Sequence, residues 1–306
     1  MPNVLVISNW WEKEDSFVNT CVLNGFNRRG ANTSFINLND TSVREDKLFY
    51  NNQEVLEPDL AIFTNTVASY DSHKIDIIAK WNSLIINEPY SHMKSSNKWL
   101  VYNMLINAGI PIPKTMPYSY GFEATDESIN NVFGAHLGWP FLLKTNYTGY
   151  GNGVTLCHNP VEVRAAADNN WSGPNWYDGT TYEPISAQEY VQSTVGMMIS
   201  PWIQGDDIRC TLRIGDPNKE DKLKSDILPG RTRLPINVDN ELRDICMKTM
   251  EALNLEMARI DVVLTSEGYK ICEVNAPGGF SAYDKPARGD IGQHMADYCL
   301  GRLTSR

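Results

Sequence analysis

Asp261, Glu273 and Asn275 are the residues whose types and spacing most invite chemistry. They stand in "RIDVVLTSEGYKICEVNAPGG" (259–279), two short apolar runs joined through "TSEG", which reads as a β-hairpin. Residues i and i+2 of a strand share a face, so Glu273 and Asn275 lie side by side. Whether Asp261 joins them depends on register. A four-residue loop at 265–268 sets Asp261 opposite Cys272 and turns Glu273 away. An odd-length loop or a one-residue bulge, for which Gly268 is the natural place, brings the three together. Two carboxylates and a carboxamide would then form a hard, oxygen-only site suited to Mg²⁺ or Mn²⁺. Taken singly, each reads as a solvated strand end; the trio, followed by a Gly-rich turn, favours a site.

A second constellation is "KTNYTGYGNGV" (144–154), where Lys144 ends an apolar strand and Gly149, Gly151 and Gly153 follow. Glycines let backbone N–H groups approach an oxyanion, and a lysine offers phosphate a point charge. No Lys-Ser/Thr follows the last glycine, and the spacing is G-x-G-x-G, so this is neither a Walker A loop nor a dinucleotide fingerprint. An unliganded Gly-rich hairpin is the plain alternative. Lys98 falls in the first turn of a helix, where the dipole disfavours a cation unless an anion is near. Arg209, within "GDDIRCTLRI", needs a partner if it points inward, and Asp206 or Asp207 could serve. None of the five histidines sits in a motif, and no Ser or Cys stands in a nucleophile elbow.

The elements that must position these groups change character along the chain. Up to about residue 90, "VLVIS", "SFINL", "LAIFT" and "LIIN" alternate with helix-length segments, which predicts a parallel sheet with covering helices. "SHMKSSNKWLVYNMLINAG" predicts a helix with Trp99, Tyr102, Leu105 and Ile106 on one face, closed by Gly109. Strands "PFLLK" and "GVTLC" follow, then a helix opening at Pro160 behind an Asn159 cap. The turn-rich 169–187 reads as a surface excursion. "AQEYVQ", "DIRCTLRIG", the helix "DNELRDICMKTMEALN", the hairpin and a last helix near 293–302 complete an α+β unit.

Composition narrows the classes. The 306 residues are 42% hydrophobic and 21% charged, an ordinary globular balance with room for two or three domains. The formal charge of −10, without a long basic run, argues against nucleic-acid binding. No apolar run can span a bilayer, and no basic stretch precedes the first one, so neither membrane anchor nor signal peptide is expected. The six scattered cysteines have no C-x-x-C spacing and read as small core residues of a reducing, cytoplasmic compartment.

Together these pieces resemble the ATP-grasp superfamily of carboxylate–amine ligases, most nearly its RimK-type glutamate ligase branch. The resemblance runs from about Asn87 to the C-terminus and rests on "PFLLKTNYTGYGNGV", "QEYVQ", "DDIRC" and "RIDVVL...YKICEVNAPGG", in the family's order. It implies a mixed α/β and α+β fold: an N-terminal α/β domain (1–88) before two α+β subdomains (89–186 and 187–306) that clamp ATP. By motif, Lys98 and Lys144 would contact ATP phosphates, and Thr148, Gly149, Tyr150, Gly151 and Gly153 would form the lid over them. Glu189 and Tyr190 would meet adenine, and Asp207 the ribose. Asp261, Glu273 and Asn275 match the magnesium ligands, and Arg209 matches an arginine at the reacting phosphate and acyl group.

The activity so implied is ATP-dependent amide formation through an acyl phosphate, on a small-molecule or peptide substrate. Members of the branch often assemble as dimers or tetramers, so a homo-oligomer is implied too. A non-catalytic nucleotide-binding module of the same fold is the alternative. Three departures fall where substrate choice is made: the early proline of "NAPGG", the long apolar "STVGMMISPWIQG", and "DKLKSDILPGRTRLP", which aligns loosely and carries Lys224, Ser225, Arg231 and Arg233. At the N-terminus, the Trp10–Trp11 pair either binds a peptide or closes a core.

Overall fold

The structure is a computed structural model that describes residues 1–9, 16–65, 71–118, 125–146, 153–171, 185–193, 197–214, 232–277 and 285–306. Its first unit comprises β1 (Asn3–Ser8), α1 (Phe17–Arg28), β2 (Asn32–Asn37), the small antiparallel strands β3 (Thr41–Arg44), β4 (Lys47–Tyr50) and β5 (Gln53–Glu54), then β6 (Leu60–Phe63), α2 (Ser72–Ile78) and β7 (Leu84–Ile86). The parallel sheet has the order β2-β1-β6-β7. The apolar runs read from sequence become its four strands, and in central β6 Leu60 to Phe63 are wholly buried, as a parallel strand covered on both faces requires.

Two short helices follow, α3 (Pro89–Ser95) and α4 (Lys98–Asn107). The single helix predicted from 91 to 109 is thus broken, because the Asn97 carboxamide accepts from the Leu100 N–H (3.0 Å) and caps a new start. The buried face of α4 is Val101, Tyr102 and Leu105, whereas Ile106 is exposed, a rotation from the predicted stripe.

Next come β8 (Thr115–Tyr118), the helical turns α5 (Asp126–Ile129) and α6 (Ala135–Leu137) joined by a π-helical stretch Asn130–Gly134, β9 (Phe141–Thr145), β10 (Val154–Cys157), α7 (Pro160–Trp171) and β11 (Ile185–Glu189). These strands form a sheet of order β10-β9-β11-β8. The Asn159 cap is present: its side chain accepts from the Glu162 N–H at 3.0 Å.

The last unit contains β12 (Met197–Gln204), β13 (Asp207–Ile214), β14 (Thr232–Ile236), α8 (Asn240–Leu253), β15 (Met257–Thr265), β16 (Gly268–Asn275) and α9 (Lys285–Thr304), with sheet order β14-β13-β12-β15-β16. One sheet face, with Ile199, Ile203, Cys210, Ala258, Ile260 and Val262, packs on α8 and on Val101 and Leu105 of α4. The near end of the other face, Trp202 and Met257, is sealed by α9 and the first sheet. Asn87 ties the units together: its carboxamide accepts from Glu256 and Met257 N–H groups and donates to the Met257 carbonyl, all within 2.7–2.8 Å. All six cysteines are free thiols, and Cys157, Cys210, Cys246 and Cys299 are buried, as their scatter predicts. Among the described residues, no helix is long and apolar enough to cross a membrane.

Candidate active site

The hairpin decides the question of register. Gly268 pairs with Thr265 around a two-residue turn, with a φ of 106° that a glycine accommodates without strain. From there the ladder is regular, Val263 to Lys270 and Val262 to Ile271; then it shifts, and Asp261 faces Glu273. The extra residue is Cys272, so the bulge lies mid-strand and not at Gly268 as predicted. The packing shows the same shift independently. Ile271 and Val274, three apart, both enter the α8-facing core, which regular alternation forbids. Arg259 faces Asn275, so Arg259, Asp261, Glu273 and Asn275 share the face turned away from α8.

Period-two alternation adds residues of β13 to this face. Cys210 enters the α8 side, so Arg209, Thr211 and Arg213 lie opposite. Arg213 is 3% exposed, Asp261 4% and Arg259 7%. The Asp261 carboxylate accepts from Arg213 and from the Ser200 hydroxyl (3.0 Å) on Oδ1, and from Arg259 (3.3 Å) on Oδ2. Burial alone would raise its pKa, but the two guanidiniums and the hydroxyl hold it below the usual carboxylate range. Arg233 occupies the register position across from Arg213 on β14. The apolar "STVGMMISPWIQG" supplies the central strand β12, where the ladder to β15 skips Ser200 and Pro201 beside Asp261. A proline has no N–H to give there.

Lys98 enters from the first turn of α4, its Nζ 3.4 Å from a Glu273 oxygen. Its own backbone N–H donates to the Asn146 carbonyl at 3.3 Å, which ties α4 to the end of β9. Lys144 donates to the Gln188 carboxamide on β11, and Gln188 donates to Thr115 (2.9 Å) on β8. Gly153 closes the β9–β10 hairpin by accepting from the Thr145 N–H at 3.0 Å. Lys98 thus lies between Glu273 on β16 and the end of β9, the strand that carries Lys144.

Other predicted residues sit apart from that cluster. Arg209 donates to Asp207 (3.2 Å) and meets a His294 ring nitrogen (3.1 Å) on α9. Four residues along an extended strand from Arg213, it is about 13 Å from it, and the arginines touching Asp261 are Arg213 and Arg259. Glu189 exchanges hydrogen bonds with Lys114 through both backbone and carboxylate, and Tyr190 follows at the end of β11. Thr148, Gly149, Tyr150, Gly151, Trp10, Trp11, Lys224, Ser225, Arg231, Gly278 and Gly279 lie outside the described residues. Sequence reasoning missed Arg213 and Arg259; the two-residue strand period places them on the faces of Arg209 and Asp261 but gives them no motif.

The oxygens of Glu273 and Asn275 suit a hard cation. The Asn275 amide nitrogen is buried without a partner among the described residues, as a carboxamide turned toward a ligand through its oxygen can be. Glu273 and Asn275 would hold Mg²⁺, with Asp261 beside them and its negative charge shared with the arginines.

Comparison with solved structures gives the class: this is an ATP-grasp fold. A RiPP-associated ATP-grasp ligase of Chryseobacterium gregarium, in complex with ADP and a leader and core peptide, superposes with a TM-score of 0.68 over 99% of this chain and 97% of its own, at 14% identity. D-alanine–D-alanine ligase of Bacillus anthracis, complexed with ATP, gives 0.68 over 100% and 98%, at 13% identity. Within that class the chain belongs to the RimK-like ATP-grasp domain family, whose model matches residues 95–299. A relative from Histophilus somni strain 2336, named "Probable alpha-L-glutamate ligase", is 25% identical over 70% of this chain and 66% of its own. The chain thus spans about two thirds of the length of such curated relatives.

Proposed function

We propose that this protein is an ATP- and Mg²⁺-dependent ligase that joins a carboxylate to an amine with release of ADP and phosphate. The observation that carries the reading is the Cys272 bulge, which sets Glu273 opposite Asp261 on the face that also holds Asn275, with Lys98 3.4 Å from Glu273. Bound metal supplies charge neutralisation at the phosphates. Lys98 and Lys144 add positive charge and orient the triphosphate. The substrate carboxylate takes the γ-phosphoryl group to give an acyl phosphate and ADP; the amine then displaces phosphate and loses a proton. The name of the Histophilus somni relative, "Probable alpha-L-glutamate ligase", supports an acidic amino acid or peptide as substrate. The six free thiols support a reducing, cytoplasmic setting.

The test is ADP release with pooled amino acids and short acidic peptides as acceptors and donors. Wild-type protein releases ADP in a substrate-dependent manner and Glu273→Ala does not. Equal release by both removes Glu273 from the site, and ATP binding without release under any pool contradicts the ligase reading.

A further inference from the structure

A bulge leaves its extra residue outside the ladder, and a buried carbonyl there must find another donor. For Cys272 that donor is the Tyr102 hydroxyl, 2.9 Å from the carbonyl oxygen. Tyr102 is 1% exposed. Burial, and then the Glu273 charge, drive its pKa upward, so the phenol keeps its proton through the working pH range. A second tether sits one residue earlier, where the Ile271 N–H leaves the ladder for the Pro111 carbonyl at 2.9 Å.

Both Tyr102 and Lys98 belong to α4 and stand four apart, on one helix face. Lys98 reaches Glu273 while Tyr102 reaches the preceding peptide, so the helix grips the dipeptide 272–273 at two points. Val101 and Leu105 seat the same helix in the core against α8. The grip matters because a bulge that moved one residue toward Asn275 would set Cys272 opposite Asp261 and turn Glu273 toward that core.

We infer that Tyr102 is a positioning residue: by holding the Cys272 carbonyl it fixes the bulge, and with it the placement of Glu273 as a metal ligand. The inference rests on the proposed metal site and goes beyond it in assigning what sets that site's geometry. Partners behind a metal ligand commonly change metal affinity by about tenfold or more when removed.

The experiment titrates Mn²⁺ into protein saturated with ADP, with free Mn²⁺ read by electron paramagnetic resonance, alongside ADP binding without metal. In Tyr102→Phe, Mn²⁺ affinity falls about tenfold while metal-free ADP affinity is unchanged. Tyr102→Met also removes the hydroxyl and gives the same readout should the phenyl ring be poorly accommodated. Tyr269→Phe, which deletes a hydroxyl bonded to Asp239 (2.7 Å) on the α8 side of the same hairpin, leaves Mn²⁺ affinity unchanged. Unaltered Mn²⁺ binding in both Tyr102 variants, or an equal loss of ADP and Mn²⁺ binding, overturns the inference. Failure of the underlying reading looks different: Glu273→Ala would then bind Mn²⁺ as wild type does.

Discussion

Replacing Arg213 and Asp261 singly and together tests the buried charge cluster beside the metal shelf. Asp261 shares its two oxygens among Arg213, Arg259 at 3.3 Å and Ser200 at 3.0 Å. At an effective dielectric near 20, one such pair is worth about 4 kcal/mol before desolvation. Arg213→Met leaves the carboxylate with Arg259 and the hydroxyl, so the expected cost is about 2 kcal/mol, below the ~3–5 kcal/mol for stripping a buried charge of its only partner. Asp261→Asn leaves two buried guanidiniums facing a neutral amide and costs about 4 kcal/mol. In the double variant the repulsion between arginines is gone, so the cost is about 3 kcal/mol, well short of the ~6 kcal/mol that additivity requires. Urea unfolding followed by tryptophan fluorescence measures all three, since Trp202 is buried and stands opposite Arg259 in the β12–β15 register. Costs that add to within about 0.5 kcal/mol would show that Arg213 and Asp261 do not interact and refute the reasoning.

Further outcomes follow from other parts of the fold. His92 is fully buried, stacked on Phe63 and bonded through Nε2 to the Asn65 carbonyl, and burial lowers its pKa to about 4. The unfolded chain takes up that proton near 6.5 and the folded chain does not, so its contribution is whole above pH 6.5. It falls by up to about 3 kcal/mol as pH drops from 6.5 to 4. The His92→Gln variant flattens this fall in urea midpoints compared at pH 7.5 and 5. A Cβ on Gly25 would lie 2.2 Å from the Gly292 carbonyl oxygen, so Gly25→Ala forces α1 and α9 apart and costs about 1–3 kcal/mol. A Cβ on Gly301 meets nothing, and Gly301→Ala raises the thermal midpoint through helix propensity.

How far the sequence reveals this molecule depends on how local the determining forces are. The buried strands of the first sheet and the cap at Asn159 are set by neighbours within a few residues, and both were legible. So was the pairing of Glu273 with Asn275 on one face, a consequence of strand geometry alone. The bulge was legible as a need but not as a place. Its position at Cys272 is stabilised by Tyr102 and Pro111, more than 150 residues upstream, and nothing within "YKICEVN" marks it. The break between α3 and α4 was missed although Asn97, a favourable cap residue, stands at it. Arg213 and Arg259 were in view but carried no motif, and their importance shows only when burial brings them around one carboxylate.

In the proposed reaction a substrate carboxylate is activated by phosphoryl transfer beside Lys98, Lys144, Glu273 and Asn275. The direct test is to supply a pool of amino acids and acidic peptides carrying ¹⁸O in their carboxylates, with ATP and Mg²⁺, and to weigh the phosphate released. Formation and aminolysis of an acyl phosphate carries one ¹⁸O into each phosphate, with no such transfer by Glu273→Ala. Released phosphate that contains only unlabelled oxygen would mean that water, not a carboxylate, attacks the nucleotide, and would contradict that activation.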